Sequence, residues 1–205
     1  MIRFFNFSVK GFKSMNIVAL YGSPRKKGNS AVLADRFLEK AREMGAESRR
    51  FFLNAMTLKG CQACMGCKTK KDHCIVKDDM ADILEAVRDS DVLVLATPVY
   101  FGDVSAQVKA FIDRTYSYLV PDFITNPEPS RLKPGKRLVF IQAQAQPDPN
   151  LYGDIYTKYE GFFKPMGFRK NILIRACGVD EAGEAAGNPA LMAEADAAAV
   201  AVMNG

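Results

Sequence analysis

Hydrophobic positions along the chain follow two rhythms that take turns. Met15-Asn-Ile-Val-Ala-Leu-Tyr21 is a short aliphatic run that stops at Gly22-Ser23-Pro24, as a buried parallel strand does. Over residues 30–44 the spacing changes. Val32, Leu33, Phe37, Ala41 and Met44 recur every three to four residues up to Gly45, which predicts an amphipathic helix. Residues 47–53 read as a weaker strand, 54–77 as a long loop, and Asp78-Asp79 as the cap of a helix running to about residue 89. Asp91-Val-Leu-Val-Leu-Ala-Thr97 is the most hydrophobic strand, ended by Pro98, and residues 106–118 return as a helix. Residues 137–142 and 171–175 supply two more strands around helical residues from about 151 to 164, and 190–203 form a closing Ala-rich helix.

Strands alternating with helices predict an α/β fold with a parallel sheet covered on both faces by right-handed crossovers. Five strands fit the order 2-1-3-4-5, in which ligands bind outside the carboxyl ends of the first and third strands. The loops at that crevice are residues 22–30 and 98–104. A loop as long as 54–77 inside a compact domain is usually functional.

The 205 residues, 48% of them hydrophobic, suffice for one substantial core. No apolar run approaches the roughly 18 residues that span a bilayer, so no membrane role is expected. Residues 1–14 carry three basic residues and four phenylalanines but lack a continuous apolar core and a small-residue cleavage site, and make a poor signal peptide. They read as an N-terminal extension to a domain over 15–205, with Met15 either the natural start or the end of an added arm. Without that extension the net charge falls from +5 to +2, which leaves nucleic-acid binding little support. Five cysteines without a secretory signal point to a reducing compartment, the cytoplasm.

The segment Gly22-Ser23-Pro24-Arg25-Lys26-Lys27-Gly28-Asn29-Ser30 joins a strand to a helix N-terminus. Unpaired N–H groups and the helix dipole there face an incoming anion. Ser23, Asn29 and Ser30 add side-chain donors, and Arg25 adds positive charge. The loop is neither Gly-x-Gly-x-x-Gly nor a P-loop, which favours a mononucleotide; a polar turn without a ligand is the other local reading.

Gly-Ser-Pro-Arg-x-x-Gly-Asn-Ser after a first strand resembles the FMN phosphate loop of the NADPH-dependent FMN reductase and iron–sulfur flavoprotein family. Thr97-Pro98-Val99-Tyr100-Phe101-Gly102 and Ser105-Ala106-x-x-Lys109-Ala110-Phe111-Ile112-Asp113-Arg114 are similar to its isoalloxazine loop and following helix. Cys74-Ile-Val-Lys-Asp78-Asp79-Met80 matches the segment between them. The resemblance implies a flavodoxin-like three-layer sandwich. It implies that Ser23, Arg25, Gly28, Asn29 and Ser30 hold the FMN phosphate, that Pro98, Val99, Tyr100, Phe101 and Gly102 line the flavin ring, and that Ala143, Gln144 and Ala145 form a third flavin loop. Either aromatic alone would more often be core packing. Self-association into a homodimer or homotetramer is a further implication.

Cys61-x2-Cys64-x2-Cys67-x6-Cys74 places four thiols in one loop. Two short gaps let three sulfurs converge, and the longer one returns a fourth. The set suits a [4Fe–4S] cluster, a tetrahedral zinc, or free or redox-active thiols; the compact motif is similar to that of iron–sulfur flavoproteins. His73, the only histidine, reads as an exposed loop residue, and Cys177 as a small buried apolar one. Because this loop follows the second strand, it is expected at the same carboxyl edge as the phosphate loop, permitting electron transfer within a subunit or across a dimer. Lys68, Lys70 and Lys71 form a basic run, either a solvated surface or a dock for an acidic carrier such as ferredoxin.

With one histidine in a loop no Ser-His-Asp arrangement forms, and no protein acid–base residue is assigned. Three classes stay open. The first is an NAD(P)H-dependent FMN oxidoreductase acting on a small acceptor such as a quinone or flavin. The second is an iron–sulfur flavoprotein relaying electrons from a ferredoxin-like carrier, and the third a zinc-stabilised binding domain without flavin.

Overall fold

The computed structural model describes residues 14–205. Its elements are β1 (Asn16–Tyr21), α1 (Asn29–Glu43), β2 (Glu47–Phe52), α2 (Gly66–Thr69), α3 (Met80–Asp89), β3 (Val92–Tyr100), β4 (Asp103–Val104), α4 (Ala106–Arg114), β5 (Arg137–Ala143), α5 (Asp154–Phe163), β6 (Ile172–Ala176) and α6 (Pro189–Asn204). Apart from Ser14, the expected extension over residues 1–14 lies outside the described residues.

Five strands run parallel in the order β2-β1-β3-β5-β6, with β4 antiparallel to the end of β3. Setting aside the two-residue β4, this is the expected order 2-1-3-4-5, in a flavodoxin-like three-layer sandwich. The continuous apolar runs follow from burial on both faces. In β1, Ile17, Ala19 and Tyr21 pack beneath α1 and α6, while Val18 and Leu20 face the layer of α3, α4 and α5. The same alternation sends Val92, Val94 and Ala96 of β3 to the first layer and Leu93 and Leu95 to the second. Strand β2 lies at the edge and exposes Glu47, Arg49 and Arg50; Arg49 pairs with Asp82 at 2.6 Å and Arg50 with Asp35 at 3.0 Å. Such charges discourage pairing with another sheet.

Two sequence expectations are corrected here. Strand β3 does not end at Pro98 but continues to Tyr100. Pro98 occupies the last rung of the ladder with β5, opposite Ala143, where a missing N–H costs least. Nor does Asp79 cap α3 through its side chain. Its carboxylate instead accepts the N–H of Thr57 at 2.8 Å, and that of Asp78 accepts the N–H of Lys59 at 2.7 Å. Both aspartates hold down the start of the cysteine loop.

Candidate functional site

At the carboxyl end of β1 the chain turns sharply. The N–H of Gly22 donates to Ala96 O at 2.8 Å, drawing the loop against β3. A Cβ on Gly22 would stand 2.2 Å from Val108 Cγ2 and 2.9 Å from Ser105 Oγ, so glycine is required by the close approach of α4. Gly28 faces the same limit, since a Cβ there would lie 2.7 Å from Ser23 Oγ. Ser23 Oγ also accepts the N–H of Arg25 at 3.1 Å. Helix α1 then starts behind Gly28 with no side-chain cap and no acidic residue in its first turn. Its first N–H groups and the positive end of its dipole therefore meet the space in front of the loop.

That space is a cleft lined by Ser23, Arg25, Gly28, Asn29, Ser30, Pro98, Val99, Tyr100, Ala143 and Ala145, all expected from sequence. Val179 and Asp180 complete it and were missed by sequence reasoning. Their signal was position: they follow β6 on the same carboxyl edge as the other loops. The N–H groups of Gly178 and Val179 bond Gln146 O and Gln144 O, so this loop is zipped to the one after β5.

Three expected residues stand apart from the cleft lining. Gln144 is buried, and its amide donates to Gln146 O and Asp148 O, bracing its own loop. Phe101 and Gly102 form the tip of the β3–β4 hairpin, both at positive φ (50° and 83°). Phe101 there is fully exposed, at 111% of reference accessibility. The hairpin is pinned by Asp103, which accepts from Lys158 Nζ and Tyr159 Oη, both at 2.8 Å. Burial pushes the Asp103 carboxyl up, but the bonds from Lys158, Val104 and Tyr159 outweigh it and hold the group below its ordinary value. Asn29 lines the cleft, yet its side chain is committed elsewhere, donating to Glu181 O at 2.9 Å and accepting the N–H of Ala185 at 3.0 Å. It welds the last loop to the first.

The four clustered cysteines line a second cleft of about 250 Å³, together with Met65, Val76, Arg114 and Tyr116. Ala63 and Met65 take positive φ (50° and 56°), turning the chain at each Cys-x2-Cys gap. Cys61 and Cys64 are exposed, Cys74 is half-buried and Cys67 is buried; burial pushes the Cys67 thiol up. Among the described residues no three His, Cys, Asp or Glu side chains are grouped as one metal ion requires. Sulfurs that hold a cluster stand further apart, because irons and sulfides lie between them. All four thiols line one cleft, a donor set that suits a cluster or a tetrahedral ion.

This cleft is not beside the first. Its far wall is Arg114, Tyr116 and Ser117, at the carboxyl end of α4, whereas Ser105 at the amino end of that helix abuts Gly22. Nine helical residues, about 13 Å of rise, separate the two. The loop leaves from the shared carboxyl edge as expected, where Gln107 donates to Asn54 at 3.0 Å, and then runs down α4 to Arg114, so its cysteines lie away from that edge.

Arg114 closes the cleft from behind. Its side chain is 0% exposed and that of Asp78 1%. The guanidinium donates to both Asp78 carboxylate oxygens (3.0 and 3.2 Å), to Lys59 O (2.9 Å), to Val76 O (3.2 Å) and from Nε to Cys74 Sγ (3.0 Å). Burial pushes the Asp78 carboxyl up, but the bonds from Arg114 and the Lys59 N–H prevail and hold it below the ordinary aspartate value. The basic run is likewise divided. Lys68 Nζ bonds Tyr116 O and Leu119 O at 2.6 Å and lies 4.0 Å from the Tyr116 ring centroid, leaving Lys70 and Lys71 exposed. His73 is exposed as expected, while Cys177 is half-buried rather than buried.

No helix among the described residues is long and apolar enough to cross a membrane. The chain is 39% identical over 101 residues to an iron-sulfur flavoprotein of Methanosarcina thermophila, covering 49% of this chain and 52% of that one. It is 36% identical over 104 residues to an iron-sulfur flavoprotein of Archaeoglobus fulgidus, covering 51% and 47%. The chain thus spans about half the length of the curated relatives it matches. Its fold is that of the FMN-dependent NADH-azoreductase of Bacillus anthracis, solved with FMN, with a TM-score of 0.69 at 15% identity over 94% of this chain and 100% of that one. It is also that of the NAD(P)H:quinone oxidoreductase of Methanothermobacter marburgensis, with a TM-score of 0.66 at 18% identity over 94% and 96%. The profile of NADPH-dependent FMN reductases matches residues 15–145, well over half of the sequence, and the chain belongs to that family.

Proposed function

We propose that this chain is an FMN-dependent oxidoreductase that takes electrons from NAD(P)H and gives them to a small acceptor of the quinone or flavin kind, using one flavodoxin-like domain over residues 15–205. The observation that carries this reading is the uncapped first turn of α1, which opens on a cleft walled by the loops after β1, β3, β5 and β6. The cleft, about 70 Å³, suits the anionic end of a ligand. Ser23, Gly28 and Ser30 surround that end, with Arg25 supplying charge.

The loop Pro98, Val99, Tyr100, Phe101 and Gly102 would hold the flavin ring together with Ala143 and Ala145, while Gln144 would brace the second loop from within. FMN bound there supplies hydride acceptance and electron transfer. Val99 and Tyr100 would present apolar surface to the reacting face, and the Asp103 contacts to α5 fix the hairpin carrying them. Tyr100 and Phe101 leave that face exposed, a surface a second copy would cover in a homodimer or homotetramer. The azoreductase solved with FMN and the quinone oxidoreductase supply the chemical precedent.

A second reading is favoured by the cysteine cleft and by relatives named iron-sulfur flavoproteins. In it Cys61, Cys64, Cys67 and Cys74 hold a [4Fe–4S] cluster, and electrons arrive from a ferredoxin-like carrier in the cytoplasm, with only Lys70 and Lys71 of the basic run available to dock it.

Titration of the apoprotein with FMN and with riboflavin tests the first reading. Losing charge-assisted phosphate contacts should weaken riboflavin about 100-fold, at roughly 1.4 kcal/mol per tenfold; equal affinities defeat the phosphate cleft. Iron, sulfide and the visible spectrum of anaerobically prepared protein test the second. Flavin bands alone with NAD(P)H oxidation leave a plain reductase, and added iron and sulfide in near-equal amounts establish the cluster.

A further inference from the structure

A guanidinium has five N–H donors and no acceptor, and all five of Arg114 are spent inside the protein. Four go to oxygens: two to the Asp78 carboxylate and one each to the carbonyls of Lys59 and Val76. The fifth, Nε–H, goes to Cys74 Sγ at 3.0 Å. Nothing in this arrangement is loose. Both charged side chains are essentially inaccessible, and a buried donor left without an acceptor costs about 1–3 kcal/mol. A neutral thiol accepts weakly, whereas a thiolate bound to metal carries the negative charge that an N–H from a cation seeks. The Arg114 charge is already balanced by Asp78, so the pair can lend a hydrogen bond to sulfur without leaving a bare charge in the interior.

We propose that Arg114 is a positioning residue for the cysteine centre: its Nε–H fixes Cys74 Sγ as the rear ligand of the cleft and draws electron density from it. The inference rests on the reading that the four cysteines hold a cluster, and it adds a role that the ligand motif does not contain. Arg114 sits 40 residues beyond Cys74 in sequence, at the end of α4. That helix begins against the phosphate loop, so its two ends border the two clefts. A hydrogen bond to a ligand sulfur stabilises the more reduced, more negative state of a cluster and raises its reduction potential. Lysine keeps the positive charge but has neither the planar fork that grips Asp78 nor an Nε–H aimed at sulfur.

The test uses protein with all arginines ¹⁵N-labelled, its cluster reconstituted anaerobically and reduced, and pulsed electron paramagnetic resonance to read nitrogen coupling. The expected result is an arginine ¹⁵N coupling in the unsubstituted protein that disappears in Arg114→Lys, together with a more negative cluster potential and an unchanged flavin potential. Coupling that persists in Arg114→Lys, or a potential that does not move, overturns the proposal. Should the variant not fold, the unsubstituted protein still decides: a reduced cluster showing no arginine nitrogen coupling overturns the proposal by itself. A protein that takes up no iron and sulfide at all fails earlier, at the cluster reading. Iron content therefore separates that failure from one confined to Arg114.

Discussion

At the amino end of α4 the phosphate-type cleft is made of backbone: a tight glycine turn, the bare first turn of α1, and loop ends zipped together by main-chain bonds. At the carboxyl end of the same helix the cysteine cleft is made of side chains, held in place by a buried arginine that reaches four separate residues. The first is local. Its donors come from consecutive residues, and few of its side chains are irreplaceable. The second is assembled across the chain and depends on one ion pair. The two should therefore fail in different ways.

Breaking that pair gives the largest effect. Asp78→Ala strands the Arg114 charge in the interior, which costs about 3–5 kcal/mol and should lower the urea midpoint accordingly. Cys67 and Cys74 should then react with a thiol reagent as readily as exposed Cys61, while FMN affinity of the folded protein holds. A parallel fall in FMN affinity would show that the clefts are one unit. Acid probes the same pair. Because the folded-state pKa of Asp78 lies below its unfolded value, its contribution is complete above about pH 4 and disappears as pH falls through the folded value. Stability attributable to this pair should be flat from pH 7 to pH 5, and loss already at pH 6 would contradict the assignment.

The contrast also explains what could be read from the sequence. Strand and helix periodicity carried the sheet order, and the Gly22–Ser30 loop was recognisable because its contacts are sequential. The commitment of Asn29 to Glu181 and Ala185 was not legible, since those partners lie more than 150 residues away. Arg114 was seen only as part of a helix motif, and Asp78 only as a cap within a family segment. Lys68 looked like its neighbours in a basic run until the fold brought Tyr116 and Leu119 to it. Periodicity reports burial; it does not report which distant partner a buried charge will find.

Crowding the first cleft should cost less than unpairing the second. Gly22→Ala puts a methyl 2.2 Å from Val108 Cγ2, forcing α4 outward at about 1–3 kcal/mol. FMN affinity should drop with it, while the labelling of Cys67 and Cys74 stays slow. Fast labelling in this variant would mean that α4 transmits strain along its whole length. Smaller again is the division of the basic run. Lys68→Ala abandons two carbonyl contacts and should cost about 1.5 kcal/mol. Lys70→Ala and Lys71→Ala should each stay within roughly 0.5 kcal/mol. Comparable losses at all three would restore the run as a single surface.

The expected change in stability at Phe101 is also small, and it has the opposite sign. A non-glycine residue at φ 50° is strained, and asparagine tolerates that region far better than phenylalanine. The ring is fully exposed, so removing it forfeits little burial in the isolated chain. Phe101→Asn should therefore stabilise the protein by about 0.5–1 kcal/mol in urea unfolding. Strain retained at an exposed aromatic makes physical sense if the ring is needed at that tip, against the flavin or a second copy. The same variant should then bind FMN more weakly or self-associate less, by titration and sedimentation. Stability gained with both functions intact would make Phe101 a bystander, and the flavin cleft would end at Tyr100.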